Sequence, residues 1–102
     1  MIETIEDLRN FIRDFFKEKN IKVKVILYGS RARNTHVPFS DIDIALVSDE
    51  DLSEHITQLR EIIEESNLPQ KVDIVELSKV SPSLREEILK EGKIWIDLKT
   101  EK

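Results

Sequence analysis

The residues best suited to chemistry are a Gly-Ser pair at positions 29 and 30 and three aspartates at 41, 43 and 73. Gly29-Ser30 interrupts an apolar run, Val25-Ile26-Leu27-Tyr28. A residue without a side chain lets backbone N–H groups approach a phosphate, and a neighbouring hydroxyl can donate one more hydrogen bond. Arg31 and Arg33 add positive charge beside that bend. Ten residues separate Ser30 from Asp41-Ile42-Asp43-Ile44, the last of the ten being Ser40. On a strand this alternation puts both carboxylates on one face, their Cα atoms ~6.6 Å apart. Bare carboxylates drawn to ~4 Å would repel by roughly 4 kcal/mol at an effective dielectric of 20, a large fraction of a small domain's stability. A divalent cation removes that repulsion. Mg²⁺ prefers oxygen, keeps several waters and commonly uses one or two carboxylates plus substrate phosphates; Mn²⁺ suits the same donors. Asp73 lies in Val72-Asp73-Ile74-Val75, where a carboxylate among apolar neighbours is costly without a purpose, so it is a candidate third acid.

The elements that must position these groups are legible from periodicity. Ile5, Leu8, Ile12, Phe15 and Phe16 mark one helical face ending near Asn20, and Thr4 with Asp7 has the spacing of a capping box. Ile21 to Tyr28 is rich in β-branched residues and reads as a first strand; Asn34 to Ser40 is aperiodic and reads as a loop. Asp41 to Val47 is a second strand, and Leu52, Ile56, Leu59 and Ile63 mark a second helix stopped by Pro69. Lys71 to Leu77 is a third strand. Ser81-Pro82 opens a third helix, with Leu84, Ile88 and Leu89 inward and Gly92 as its stop, before a short last strand from Lys93 to Asp97. The order predicts one α/β (α+β) domain over residues 1–102, a mixed sheet of about four strands with helices packed on it. The short connection between the first two strands allows either antiparallel pairing or a small helical link.

Composition narrows the function classes. Sixteen Lys and Arg against 21 Asp and Glu leave a net charge of −5, which provides no general field for nucleic acid and makes stable nucleic-acid binding unexpected. The absence of cysteine excludes disulfides, thiolate metal sites and a Cys nucleophile, and it fits a reducing compartment. No apolar stretch approaches the ~20 residues needed to cross a bilayer, and the acidic start lacks the pattern of an export signal. A cytoplasmic protein without membrane attachment is the expectation.

Gly29-Ser30, ten residues, Asp41-Ile42-Asp43 and a later strand with Asp73 together resemble the signature of minimal nucleotidyltransferases in the polymerase β superfamily. Ala32-Arg33 and Ser40 before Asp41 agree with it; Asn34 departs from it, standing where relatives often carry Gly, although Asn tolerates left-handed backbone angles. The resemblance implies a polymerase β-like fold. It also implies two metal ions on Asp41 and Asp43, a triphosphate held at Gly29-Ser30, and Asp73 helping to activate an acceptor hydroxyl. ATP or another nucleoside triphosphate would be the substrate and Mg²⁺ the metal. Arg31, Arg33 and Ser40 would lie on the nucleotide side, though either arginine could instead pair with a surface acid. Small domains of this kind are often paired with a helical HEPN protein, which implies either an antitoxin that transfers AMP to its partner or a non-catalytic module that neutralises the partner by binding. Relatives acting on other acceptors carry an extra helical domain, so a HEPN-type partner or a homodimer is expected to complete the acceptor site.

Overall fold

The computed structural model describes residues 1–100. Helix α1 spans Ile5–Glu18, strand β1 Lys24–Tyr28, β2 Ile42–Val47, helix α2 Ser53–Glu64, β3 Val72–Glu76, α3 Pro82–Glu91 and β4 Lys93–Asp97, with short 3-10 turns at Gly29–Arg31 and Leu77–Lys79. The sheet order is β3-β2-β1-β4. β1 runs antiparallel to β2 and β4, while β2 and β3, joined through α2, run parallel. The mixed four-stranded sheet is as expected. The link between β1 and β2 combines both anticipated solutions, a small 3-10 turn inside an antiparallel pair.

Alternation along the strands divides the apolar residues between two faces. Val25, Ile42, Ile44, Leu46, Ile74 and Ile96 join Leu8, Ile12 and Phe16 of α1 and Ile56, Leu59 and Ile63 of α2 in the larger core. Ile26, Tyr28 and Ala45 pack on the opposite face with Leu77 and with Ile88 of α3. Two long helices therefore cover one face, and a single short helix covers part of the other.

Local chemistry sets the element ends. Thr4 and Asp7 form the capping box of α1. That helix stops at Glu18 because Asn20 turns left-handed at φ 57° and the Ile21 N–H returns to the Phe16 carbonyl. β1 consequently begins at Lys24, three residues later than its β-branched pattern suggests, although Ile21 and Val23 are still buried. α2 ends at Glu64, ahead of Pro69: Ser66 Oγ donates to the Ile63 carbonyl at 2.6 Å and accepts from the Leu68 N–H at 3.3 Å, closing the helix before the proline is reached. Ser81 caps α3 by accepting from the Leu84 N–H, and Pro82 fills the first turn. Leu89, expected inward, is 57% exposed because α3 touches the sheet along a narrow line centred on Ile88.

Each open edge of the sheet is blunted by an arginine from a helix. Arg60 Nη2 of α2 donates to the Ile74 carbonyl of β3 at 2.7 Å, and Arg9 Nε of α1 donates to the Trp95 carbonyl of β4 at 3.0 Å, where the β1–β4 register shifts. Occupied carbonyls and a bulge make poor templates for another chain.

Gly92 follows α3 at φ −68°, so its backbone is open to any residue. Its constraint is space, since a Cβ there would run into Ile26 Cγ2 and the Ile88 carbonyl oxygen. Gly92→Ala is expected to lower the unfolding free energy by ~1–3 kcal/mol, read as a reduced urea midpoint at unchanged slope. An unchanged midpoint would show that α3 shifts freely on the sheet.

Candidate active site

The parallel register of β2 and β3 places Asp43 directly beside Asp73, and the antiparallel register of β1 places Tyr28 on the other side of Asp43. Cross-strand neighbours share a face. The row Tyr28, Asp43, Asp73 therefore crosses three strands on the face partly covered by α3. Asp41 is exposed immediately before β2 and shares the parity of Asp43, and Asp73 is exposed on the edge strand.

Gly29 brings the turn against this row. Its φ is 74°, and a Cβ at this position would fall on Asp43 Oδ2. Glycine is required twice over, by the left-handed backbone and by the lack of room. The turn is tightened by the Ala32 and Arg33 N–H groups, which donate to the Gly29 carbonyl at 3.1 and 3.2 Å, and by the Thr35 N–H, which donates to the Ser30 carbonyl at 3.0 Å. Asn34 adopts φ 59°, so the residue that departs from the family pattern takes up the left-handed geometry itself.

Arg31 and Ser40 are engaged in holding the loop. Arg31 Nη2 donates to the carbonyls of Pro38 at 3.2 Å and Ser40 at 3.0 Å. Ser40 Oγ accepts the Val37 N–H at 2.9 Å. Gln70 Nε2, just before β3, donates to the same Pro38 carbonyl at 2.8 Å and ties the loop to the strand bearing Asp73. Arg33 pairs with Glu91 of α3 at 3.3 Å, both side chains substantially exposed, which makes it a weak solvent-screened pair. Its charge still reaches Asp43 and favours the ionised carboxylate there.

Burial raises the Asp43 carboxyl above its ordinary value, the negative charges of Asp73 and Asp41 raise it further, and Glu87 adds to them against the opposing pull of Arg33. The Tyr28 phenol is pushed up to about 12 by burial first and then by Asp73, Asp43 and Glu87. Glu87, on α3, was missed in the sequence. The available signal was its place beside buried Ile88 and three residues beyond half-buried Leu84, on the flank of the helix face that meets the sheet.

Among the described residues, no group of three or more Asp, Glu, His or Cys side chains converges enough to hold a metal by itself. The donor set fits a hard divalent cation in another way: neighbouring carboxylates whose mutual repulsion outweighs the pull of Arg33 stand against the Gly29 backbone turn, and such a cation would need oxygens from a substrate and from water to complete its coordination.

Asp43 holds its proton more tightly folded than unfolded. It therefore costs stability as pH rises from the ordinary carboxylate value through its raised folded value, and the cost persists above that. Without divalent metal, Asp43→Asn is expected to melt above wild type at pH 7, with the difference closing toward about pH 3, where both side chains are neutral. An Asn variant less stable than wild type at pH 7 in chelator would contradict this electrostatic account.

The family model described as "Polymerase beta, Nucleotidyltransferase" matches residues 10–101. A 64-residue stretch, 62% of this chain, is 36% identical to the "Probable protein adenylyltransferase MntA" of Haemophilus influenzae (strain Rd) and spans 56% of that protein's length. The fold superposes on a chain of a toxin–antitoxin crystallised with AMP-PNP, with a TM-score of 0.69 and 27% identity over 87% of this chain and 73% of that one. It is also shared, at a TM-score of 0.59 and 22% identity over 90% of this chain and 71% of the other, with a chain of the complex between a tri-AMPylated Shewanella oneidensis HEPN toxin and an MNT antitoxin. With its Gly-Ser turn seated on a carboxylate row and its sequence matched almost from end to end, the chain belongs to the polymerase β nucleotidyltransferase family.

Proposed function

We propose that this domain is a Mg²⁺-dependent nucleotidyltransferase that moves a nucleoside monophosphate, AMP by preference, from a triphosphate to a hydroxyl on a protein partner, serving as antitoxin to a HEPN-type toxin. The observation that carries the reading is the seating of the Gly29 turn on the Asp43 carboxylate, which leaves no room for any side chain between the phosphate-holding backbone and the acids. The relative named as a protein adenylyltransferase supports AMP and a protein acceptor, and the toxin–antitoxin complex with AMP-PNP supports a nucleoside triphosphate and a toxin partner. The HEPN identity of that partner draws on the shared fold of the tri-AMPylated toxin complex. The absence of cysteine supports a reducing cytoplasmic setting, and among the described residues no helix is long and apolar enough to cross a membrane.

In this reading the N–H groups of the Gly29–Arg31 turn and the Ser30 hydroxyl grip the triphosphate, and the loop tied by Arg31 and Ser40 keeps the turn in place. Asp41 and Asp43, with Asp73 beside them, are the carboxylates for the metal. Divalent metal, when bound, supplies Lewis-acid stabilisation of the charge that develops on the phosphoryl and leaving oxygens. Asp73 faces the acceptor, orients its hydroxyl and takes its proton as the acceptor oxygen attacks the α-phosphorus. The new O–P bond forms as the α–β bridging bond breaks, and pyrophosphate leaves. Arg33 contributes long-range positive charge toward Asp43.

Incubating the domain with its HEPN-type partner, Mg²⁺ and each of ATP, GTP, CTP and UTP tests this directly. Intact-mass measurement is expected to show addition of a monophosphate to the partner, strongest with ATP. Asp41→Asn/Asp43→Asn is expected to abolish transfer, and Asp73→Asn to cut turnover ~10²–10⁴-fold with nucleotide binding retained. Partner neutralisation with no mass change, unaltered by the double substitution, would overturn catalysis and leave a binding module.

A further inference from the structure

Of the three acids, Asp41 alone lies outside the sheet, one residue ahead of β2, so strand pairing does not fix it. Two hydrogen bonds close a ring around it instead. On its C-terminal side the Ile42 N–H donates to the Lys71 carbonyl at 2.8 Å; on its N-terminal side Gln70 Nε2 donates to the Pro38 carbonyl, also at 2.8 Å. Asp41 is thus bracketed by contacts to two consecutive residues, Gln70 and Lys71, that run directly into β3 and Asp73. Only the Gln70 contact is made by a side chain. Between Val37 and Ser40 the loop is already closed by its own bonds, the Ser40 N–H donating to the Val37 carbonyl at 3.0 Å and Ser40 Oγ accepting the Val37 N–H at 2.9 Å. Gln70 therefore grips a preformed turn, and moving that turn moves Asp41.

The half-buried Gln70 side chain holds this place at a cost. A carbonyl can only accept, so the amide nitrogen must face Pro38 and the amide oxygen must turn away. There Oε1 is buried and has no hydrogen-bond partner among the described residues. Arg31 Nη2 already supplies the Pro38 carbonyl with a donor at 3.2 Å. An apolar side chain of the same length would serve folding at least as well, because a buried unpaired oxygen costs as much as one neutral hydrogen bond returns, or more. Such a side chain would lack the tie between the Asp41 loop and β3.

We propose that Gln70 is a positioning residue for Asp41: by holding the Pro38 carbonyl it sets the spacing between Asp41 and Asp73, so that both carboxylates address one bound nucleotide. The inference rests on the nucleotidyl-transfer reading above and adds to it the group that fixes the two acid-bearing segments relative to each other.

Gln70→Met keeps the length of the side chain and removes its donor, whereas Gln70→Lys keeps a donor at similar reach. Gln70→Met is expected to melt at or above the wild-type temperature and to keep KM for the nucleotide, since the Gly29 turn is untouched, while kcat falls about tenfold. Gln70→Lys is expected to recover most of that kcat. A wild-type kcat in Gln70→Met, or a Lys variant as slow as the Met variant, would overturn the proposal. So would a kcat loss matched by a fall in melting temperature, the mark of a merely structural contact. A second readout needs no turnover: amide hydrogen exchange at Ser40 and Asp41 is expected to quicken severalfold in Gln70→Met, with the β2 amides unchanged. If wild type itself transfers no nucleotide, the functional reading fails, and the exchange comparison alone decides whether Gln70 holds the Asp41 loop; equal rates would overturn it.

Discussion

Like charges held side by side on adjacent strands are the constraint around which the rest of this domain is arranged. The β2–β3 register fixes Asp43 next to Asp73, and the chain then seats Gly29 on the same carboxylate, at the point where burial already penalises ionisation. Isolated, that arrangement opposes folding. It persists because two large apolar contacts pin the strands from the opposite face, α1 and α2 closing over Ile42, Ile44 and Ile74, which alternate with the acids along β2 and β3. Strain at the site is carried by the core behind it.

The division of the two sheet faces explains how so small a chain can leave acids accessible. One face is buried thoroughly, and the other is covered by a smaller cluster in which Leu77, together with Ile88 of α3, meets Ile26, Tyr28 and Ala45. Asp43 is half-buried beside Tyr28 at the margin of that cover, and Asp41 and Asp73 are exposed beyond it. Arg9 and Arg60 occupy carbonyls on the two outer strands, which discourages strand addition next to a surface that is meant to stay open.

Much of this was readable in the residues, for identifiable reasons. Asp41-Ile42-Asp43-Ile44 announces its two faces because strand periodicity is two, and Thr4 with Asp7 announces a helix start because capping is local. The adjacency of Asp73 to Asp43 required strand order, which pattern alone does not contain, so Asp73 could be nominated from its apolar setting but not placed. Leu89 was assigned inward because helical spacing cannot show how narrow a contact α3 makes, and Glu87 went unnoticed for the same reason. Arg31 was set on the nucleotide side, or against a surface acid, by its place beside the bend; that its guanidinium also donates to the Pro38 and Ser40 carbonyls depends on the path of the loop. Loop geometry is set by many weak contacts at once, and those are the least legible in a linear pattern.

The contact between the Gly29 turn and Asp43 can be tested with a single side-chain carbon. Calorimetric titration of a non-hydrolysable ATP analogue, with and without Mg²⁺, should show metal-dependent binding to wild type and a loss of at least about tenfold in Gly29→Ala, whose added methyl displaces the carboxylate and opposes a left-handed backbone. Equal, metal-dependent affinity in the two proteins would contradict the claim that turn and acids form one nucleotide site.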